Sequence, residues 1–247
     1  EQNLQDVPIS ISVMTGEQIR DLKITNAKEL SNYIPNFAVI RDPIGDKINI
    51  RGVQSGNLAS FEQAVSTYVD GIYRGRGAQS RLSYMDVGSI EVLRGPQGAL
   101  FGKNTIGGAV SVTSARPTEE LSAELSGSYN NDFDATDING FISGGITSNL
   151  RGRFAFQDQQ MDEGWMHNSF YDQDIPQSDE NGGRAILEWD VTDATLVMLK
   201  YEYSRWHGLG QPWTLITTGY IPGVEGGTKY NGNIGNNGSF VVNDLGQ

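Results

Sequence analysis

From Leu121 onward the chain alternates between apolar and polar positions. Leu121, Ala123, Leu125, Gly127 and Tyr129 share one parity, and Ser122, Glu124, Ser126 and Ser128 take the other. Ile138, Gly140, Ile142, Gly144 and Ile146 mark a second run. Leu150, Gly152, Phe154 and Phe156 mark a third, opposite Arg151, Arg153, Ala155 and Gln157. A fourth follows at Ala185, Leu187, Trp189 and Val191, and a fifth at Thr195, Val197, Leu199, Tyr201 and Tyr203. A period of two is that of a strand with one apolar face. Each run has about the length that crosses a bilayer when tilted. The connections alternate too: medium at 130–136, tight at 147–149, long at 161–182, tight at 192–194, then a long Gly/Asn-rich stretch at 206–247.

Tight turns on one side and long loops on the other are the pattern of outer-membrane barrels, with the tight turns periplasmic. A soluble antiparallel sandwich also alternates. Periodicity alone leaves both open, and the regular tight/long rhythm favours the barrel. Five strands close no lumen, and an open sheet edge in lipid is not viable. The expectation is an incomplete barrel with about five strands present, in a sequence that continues beyond Gln247.

The first part reads differently, as a small α+β region. Val7, Ile9, Ile11 and Val13 lie on one face of a strand, with Pro8 favouring an edge. Thr15 with Gln18 predicts a capping box and a helix carrying Ile19 and Leu22. Asn26 with Glu29 predicts a second helix that Pro35 ends. Short β pieces are expected at 48–53, 64–70, 89–94 and 109–114, and Arg116-Pro117 closes the region. The domain division expected is 1–117 and 118–247.

Gly is 31 of 247 residues, about twice the usual share of roughly 7%, which suits turns and close backbone approaches rather than helices. Net charge is −12 with 18 basic residues, so nucleic acid is not an expected partner. With no Cys, disulfides and thiolate metal sites are excluded. No apolar run approaches the roughly 18 residues of a membrane helix, which says nothing about barrel strands.

No enzyme is legible. His167 and His207 are isolated, no His-Glu-x-x-His occurs and no Gly-x-Ser-x-Gly occurs. Gly102-Lys103-Asn104 fails as a phosphate loop, because Asn104 is not Ser or Thr and the required earlier glycine falls on Gln97. No cofactor and no metal site is expected. Asp132, Asp134 and Asp137 lack the glycine and closing Glu of a calcium loop. The stretch 161–182 holds Asp162, Glu163, Asp172, Asp174, Asp179 and Glu180, read as a solvated extracellular loop. Trp206, Trp213, Tyr220 and Tyr230 suit an interfacial belt or loop packing better than a carbohydrate platform.

Several segments resemble the plug domain of TonB-dependent outer-membrane receptors. They are Asp6-Val-Pro-Ile-Ser-Ile-Ser-Val, Ile48-Asn-Ile-Arg-Gly-Val53, Tyr68-Val-Asp-Gly-Ile-Tyr73, Ile90-Glu-Val-Leu-Arg-Gly-Pro-Gln-Gly-Ala-Leu-Phe-Gly102 and Gly107-Gly-Ala-Val-Ser-Val112. The resemblance implies a receptor that binds a scarce nutrient, most often a ferric siderophore, and imports it through a plug-gated barrel of roughly 22 strands. It also implies a place in the outer membrane, with the plug toward the periplasm. The implied partners are outer-membrane lipid, an extracellular ligand and the inner-membrane TonB complex. The box that TonB grips is expected just upstream of Glu1.

Two arginines that precede glycines, Arg51 and Arg94, are implied to latch the plug to wall carboxylates, with Glu91 in the same network. Bidentate guanidinium geometry suits that role. Asn57, Tyr73, Arg74, Arg76, Gln79 and Lys103 are the expected ligand-facing residues; the positive charge of Arg74, Arg76 and Arg81 suits an anionic ligand and suits barrel-wall carboxylates somewhat better, and Tyr73 suits packing better than stacking on a ligand. A signalling receptor of the same architecture and a soluble carbohydrate-binding β-protein are the alternatives. The first needs an extra domain ahead of Glu1, and the second needs its apolar strand faces covered by another sheet.

Overall fold

The computed structural model describes residues 10–42, 45–54, 63–75, 84–168, 172–210, 214–216, 230–234 and 240–244. The chain divides into two compact units. One comprises Glu1–Ser122, Phe141–Ala155 and Ala185–Lys200; the other comprises Ala123–Gly140, Phe156–Arg184 and Tyr201–Gln247.

In the first unit, β1 (Ser10–Thr15) runs into α1 (Gly16–Asp21), and the expected capping box forms at their junction. The Thr15 amide donates to Gln18 Oε1 at 3.0 Å, and the Gln18 amide donates to Thr15 Oγ1 at 3.3 Å. This satisfies two amides that a helix start would otherwise orphan. Asn26 caps the short α2 (Ala27–Leu30), accepting from the Glu29 amide at 3.0 Å. Next come β2 (Phe37–Asp42), β3 (Gly45–Ile50) and β4 (Val53–Gln54), which form a three-stranded antiparallel sheet. Then follow β5 (Val65–Val69), β6 (Ile72–Arg74), β7 (Val87–Arg94), α3 (Gly98–Phe101) and β8 (Gly108–Ser114).

The central sheet has the order β1-β7-β8-β5-β6, so β1 is an edge strand. All its pairings are antiparallel except β5 with β8, which is parallel. Leu30, Ile50, Val65, Ile90, Val92 and Val110 are fully buried between this sheet and the flanking elements. Periodicity did not show β2 or β6, because neither short segment alternates cleanly. Gly108 sits at φ +148°, and a Cβ there would lie 2.2 Å from the Leu93 carbonyl oxygen. Gly108→Ala is expected to destabilise this sheet by about 2 kcal/mol or more, read as faster amide exchange in β7 and β8.

The alternating runs are strands. They are β9 (Ser122–Asn130), β10 (Ala135–Thr147) and β11 (Leu150–Met161), the hairpin β12 (Met166–Asn168) with β13 (Gln173–Ile175), β14 (Gln177–Thr192) and β15 (Thr195–Leu209). One antiparallel meander has the order β15-β14-β11-β10-β9. A further small sheet joins β16 (Thr214–Ile216), β17 (Tyr230–Ile234) and β18 (Phe240–Asp244).

The expected loop at 161–182 is largely ordered into β12, β13 and the first part of β14. Its polar residues continue the strand beyond the apolar stripe, where hydrophobic alternation gives no signal. Among the described residues no helix is long and apolar enough to cross a membrane, which says nothing of a β-barrel.

Burial along β10, β11 and β14 is inverted relative to a water-soluble sheet, while on the edge strands β9 and β15 both parities are largely exposed. Leu125, Ile142, Phe154, Trp189 and Leu199 are exposed, Ile142 at 53% and Leu199 at 65%. On the opposite parity, Ser143 and Glu188 are buried to 2% and Arg153 to 7%.

Candidate functional site

The polar parity of the meander strands, the wall, meets charged groups in the turns and the connection that flank the central sheet at three places within the first unit. The innermost is Arg153 on β11. Its Nε donates to Asp86 Oδ2 at 2.6 Å and its Nη2 donates to Asp86 Oδ1 at 2.5 Å. Both side chains are 5% exposed. The guanidinium stacks on Phe141 of β10, its carbon 3.8 Å from the ring centroid. Asp86 is presented by a bend: it has φ +48°, and its carbonyl accepts from the Ala115 amide at 3.0 Å. Bidentate charge-assisted bonding in a dry setting is the strong form of a hydrogen bond.

The second place is Asp70, in the turn between β5 and β6. Its carboxylate accepts from the Ser114 amide at 2.7 Å, from Ser114 Oγ at 2.8 Å and from Lys200 Nζ of β15. Lys200 Nζ also donates to Ser114 Oγ at 3.0 Å. The Asp70 amide donates to the Val112 carbonyl at 2.9 Å. One carboxylate therefore ties a turn, the end of β8 and the wall together.

Burial alone would raise the Asp70 pKa; the bonds from Lys200 and Ser114 outweigh it and hold the carboxyl below its ordinary 3.8. A depressed carboxyl contributes stability above its unfolded pKa, and that stability is lost as pH falls through the folded value. Amide protection around Asp70 should hold down to about pH 4 and fall below it, and D70N should abolish that acid dependence. An acid profile identical in D70N would contradict the assignment.

The third place surrounds the segment that follows β8. Arg116 Nε donates to Glu188 Oε1 at 2.6 Å. Arg151 Nη2 lies 3.6 Å from Glu188 Oε2 and 3.0 Å from Asp190 Oδ2, and its Nη1 lies 3.5 Å from Glu119 Oε1. The Thr118 amide donates to Ser143 Oγ at 2.8 Å, and the Gly145 amide donates to the Glu119 carbonyl at 2.9 Å. The connection from sheet to wall is thus stitched along its length.

The residues singled out from sequence lie as follows. Arg94 Nη1 donates to Ser10 Oγ at 2.9 Å, and Nη2 donates to Ser12 Oγ. Its Nε is buried with no hydrogen-bond partner. Arg51 is exposed at φ +53°, with a guanidinium nitrogen 4.0 Å from the point where a Cβ on Gly95 would stand. Glu91 is half-buried in β7, between Val13 and Ser111 in register. Tyr73 accepts from Asn104 Nδ2 at 2.8 Å and packs against Tyr68 at 5.6 Å between ring centroids. Arg74 is half-buried, its Nε without a hydrogen-bond partner, and Lys103 is exposed on the loop after α3. Asn57, Arg76, Gln79 and Arg81 lie outside the described residues, as do Trp213 and Tyr220.

In the second unit, Asp134 accepts from Tyr129 Oη at 2.9 Å, and Asp137 accepts from Gln159 Nε2 at 2.7 Å and Asn139 Nδ2 at 3.1 Å. Arg184 Nε donates to Glu202 Oε2 at 2.7 Å. His167 Nδ1 lies 3.0 Å from Asp174 Oδ1 across the β12–β13 hairpin. Among the described residues no group of three or more His, Cys, Asp or Glu is arranged to hold a metal.

Arg153, Asp86, Asp70 and Lys200 were missed as partners in the sequence. The available signal was parity: Arg151, Arg153 and Lys200 sit on the polar side of runs whose other side is apolar.

Residues 3–109 match the family model of the TonB-dependent receptor plug domain. The ferric-pyoverdine BN7/BN8 receptor of Pseudomonas putida is 27% identical over 206 residues, covering 81% of this chain and 23% of that protein. The ferrioxamine B receptor of Salmonella typhimurium is 27% identical over 169 residues, covering 63% and 23%. This chain spans about a quarter of the length of these curated relatives. The solved ferric yersiniabactin uptake receptor FyuA of Yersinia pestis superposes with a TM-score of 0.70 at 26% identity, covering 80% of this chain and 31% of that one. The ferripyoverdine receptor of Pseudomonas aeruginosa superposes at 0.72 with 19% identity, covering 93% and 31%, a likeness of fold.

Proposed function

We propose, for a chain that is the plug domain and early wall strands of a TonB-dependent receptor, that the whole protein imports a ferric siderophore across the outer membrane. The observation that carries this reading is the inverted wall: apolar residues outward, buried charge inward and bonded to the plug. A wall of that polarity suits hydrocarbon outside and a filled lumen inside. In this reading the tight turns at 147–149 and 192–194 face the periplasm, and the β12–β13 hairpin faces outward. TonB engages the chain from the periplasmic side.

Arg51 and Arg94, with Glu91, form a second latch toward wall carboxylates. Tyr73, Arg74 and Lys103, with Asn57, Arg76 and Gln79, form the ligand-facing tips. The relatives' ligands support an iron complex as cargo. Uptake of radio-iron by an iron-starved strain dependent on the full-length receptor, fed ferrioxamine B or ferric pyoverdine, tests it. Iron uptake from one of these, lost in a receptor-null strain, is the expected result. Uptake of cyanocobalamin alone would contradict it.

A further inference from the structure

An aromatic stands on the polar parity of β10. Ile138, Ile142 and Ile146 take the exposed apolar side of that strand, and Asn139, Phe141 and Ser143 take the other. Phe141 is half-buried, and cations from two different elements lie over its ring. The Arg153 guanidinium carbon of β11 is 3.8 Å from the ring centroid. That of Arg20, in the last turn of α1, is 6.0 Å away. The face of an aromatic ring is negative, and both distances fall within reach of a cation–π contact. The Arg153 contact is close and buried. The Arg20 contact is longer and its residue exposed, so it is the weaker of the two.

The two contacts bear on one feature, the Asp86 bend. A planar guanidinium can offer its edge to a carboxylate and its face to a ring at once. Arg153 does both: Nε and Nη2 hold Asp86, while Phe141 holds the plane in which that fork lies. α1 approaches the same bend at its other end. Gly16 begins the helix, and a Cβ there would lie 2.2 Å from the Val87 carbonyl oxygen and 3.1 Å from that of Gly88. The helix therefore sits on the backbone just after Asp86 with its first residue and reaches Phe141 from its last turn.

We propose that Phe141 is a positioning residue that couples α1 to the Asp86–Arg153 pair across the boundary between plug and wall. Its ring aligns the Arg153 guanidinium for two bonds to Asp86 and ties the seating of α1 to that alignment. With Arg20 withdrawn, the ring is held by one cation instead of two, and the fork presented to Asp86 is less fixed. This role goes beyond the transport reading and rests only on the plug-and-wall architecture.

The test uses the full-length receptor in lipid with neither ligand nor TonB, so its outcome is separate from that of the uptake experiment. The Ala115 amide, bonded to the Asp86 carbonyl at 3.0 Å, reports the bend. The Leu22 amide, bonded to the Gln18 carbonyl at 3.0 Å, reports α1. Replacing Phe141 with mono-, di- and pentafluorinated phenylalanine keeps the ring's shape and removes its negative face stepwise. Hydrogen exchange at Ala115 should quicken stepwise through this series, to about tenfold, and exchange at Leu22 should quicken less. Phe141→Tyr, which keeps the face, should stay near the unaltered rate, and Phe141→Leu should match the pentafluorinated ring. Arg20→Gln should quicken exchange at Ala115 in the otherwise unaltered receptor and not in Phe141→Leu. A flat response to fluorination would reduce Phe141 to packing and overturn the proposal. So would an effect of Arg20→Gln on Ala115 that is absent, or equal in both backgrounds.

Discussion

Arg153→Ala in the full-length receptor is expected to weaken attachment of the plug to the wall by about 3–5 kcal/mol, the range for removing one partner of a buried pair. The size follows from the setting. Asp86 is 5% exposed, and its two oxygens face the two guanidinium nitrogens at 2.6 and 2.5 Å. Removing the cation leaves a carboxylate in a dry site with its main counter-ion gone. Asp86→Ala leaves the guanidinium uncompensated but still over Phe141, so its loss should fall at the lower end of that range. The double substitution should destabilise less than the sum of the two singles, because it strands no charge. Urea midpoints and exchange protection of β7 and β8 read all three variants. Unchanged protection in Arg153→Ala would remove the pair from the account.

Ile142→Arg is expected to be as damaging for a different reason. Ile142 lies near the centre of β10, exposed, on the apolar parity. If that parity faces hydrocarbon, an arginine at mid-membrane costs about 2–4 kcal/mol. Strands β11 and β14 of the same meander already carry Arg151, Arg153 and Arg184 on the other parity, each with a carboxylate partner. The objection is thus to the face, not to the residue type. Assembly of the full-length receptor, followed by heat-modifiable migration in detergent gels, should fall in Ile142→Arg. Wild-type assembly would argue that this face is wet.

Much of the wall was legible because a strand with an apolar face on one side and charge on the other repeats every two residues. The signal faded where strands rise past the apolar stripe. Ser178, Glu180 and Gly182 belong to β14, yet nothing apolar alternates with them. The caps at Thr15 and Asn26 were legible because their partners lie three residues away. The wall attachments were not: Arg153 and Asp86 are 67 residues apart, and Lys200 and Asp70 are 130 apart. No local pattern encodes such a pairing. Family resemblance directed attention to plug arginines, whereas among the described residues wall cations Arg153 and Lys200 pair with plug carboxylates, and Arg116 pairs with wall Glu188.

The most direct measurement is lipid contact, residue by residue. Spin labels placed singly at 138 through 146 of β10 in the membrane-embedded full-length receptor can be probed with oxygen, which partitions into lipid, and with a water-soluble nickel chelate. Oxygen collisions should peak at 138, 142 and 146, the exposed isoleucines of the stripe, and fall at 139, 141 and 143, with the nickel chelate excluded from those peaks. Labels at 138, 142 and 146 that are shielded from oxygen, or that meet the nickel chelate freely, would place the apolar stripe somewhere other than in a membrane.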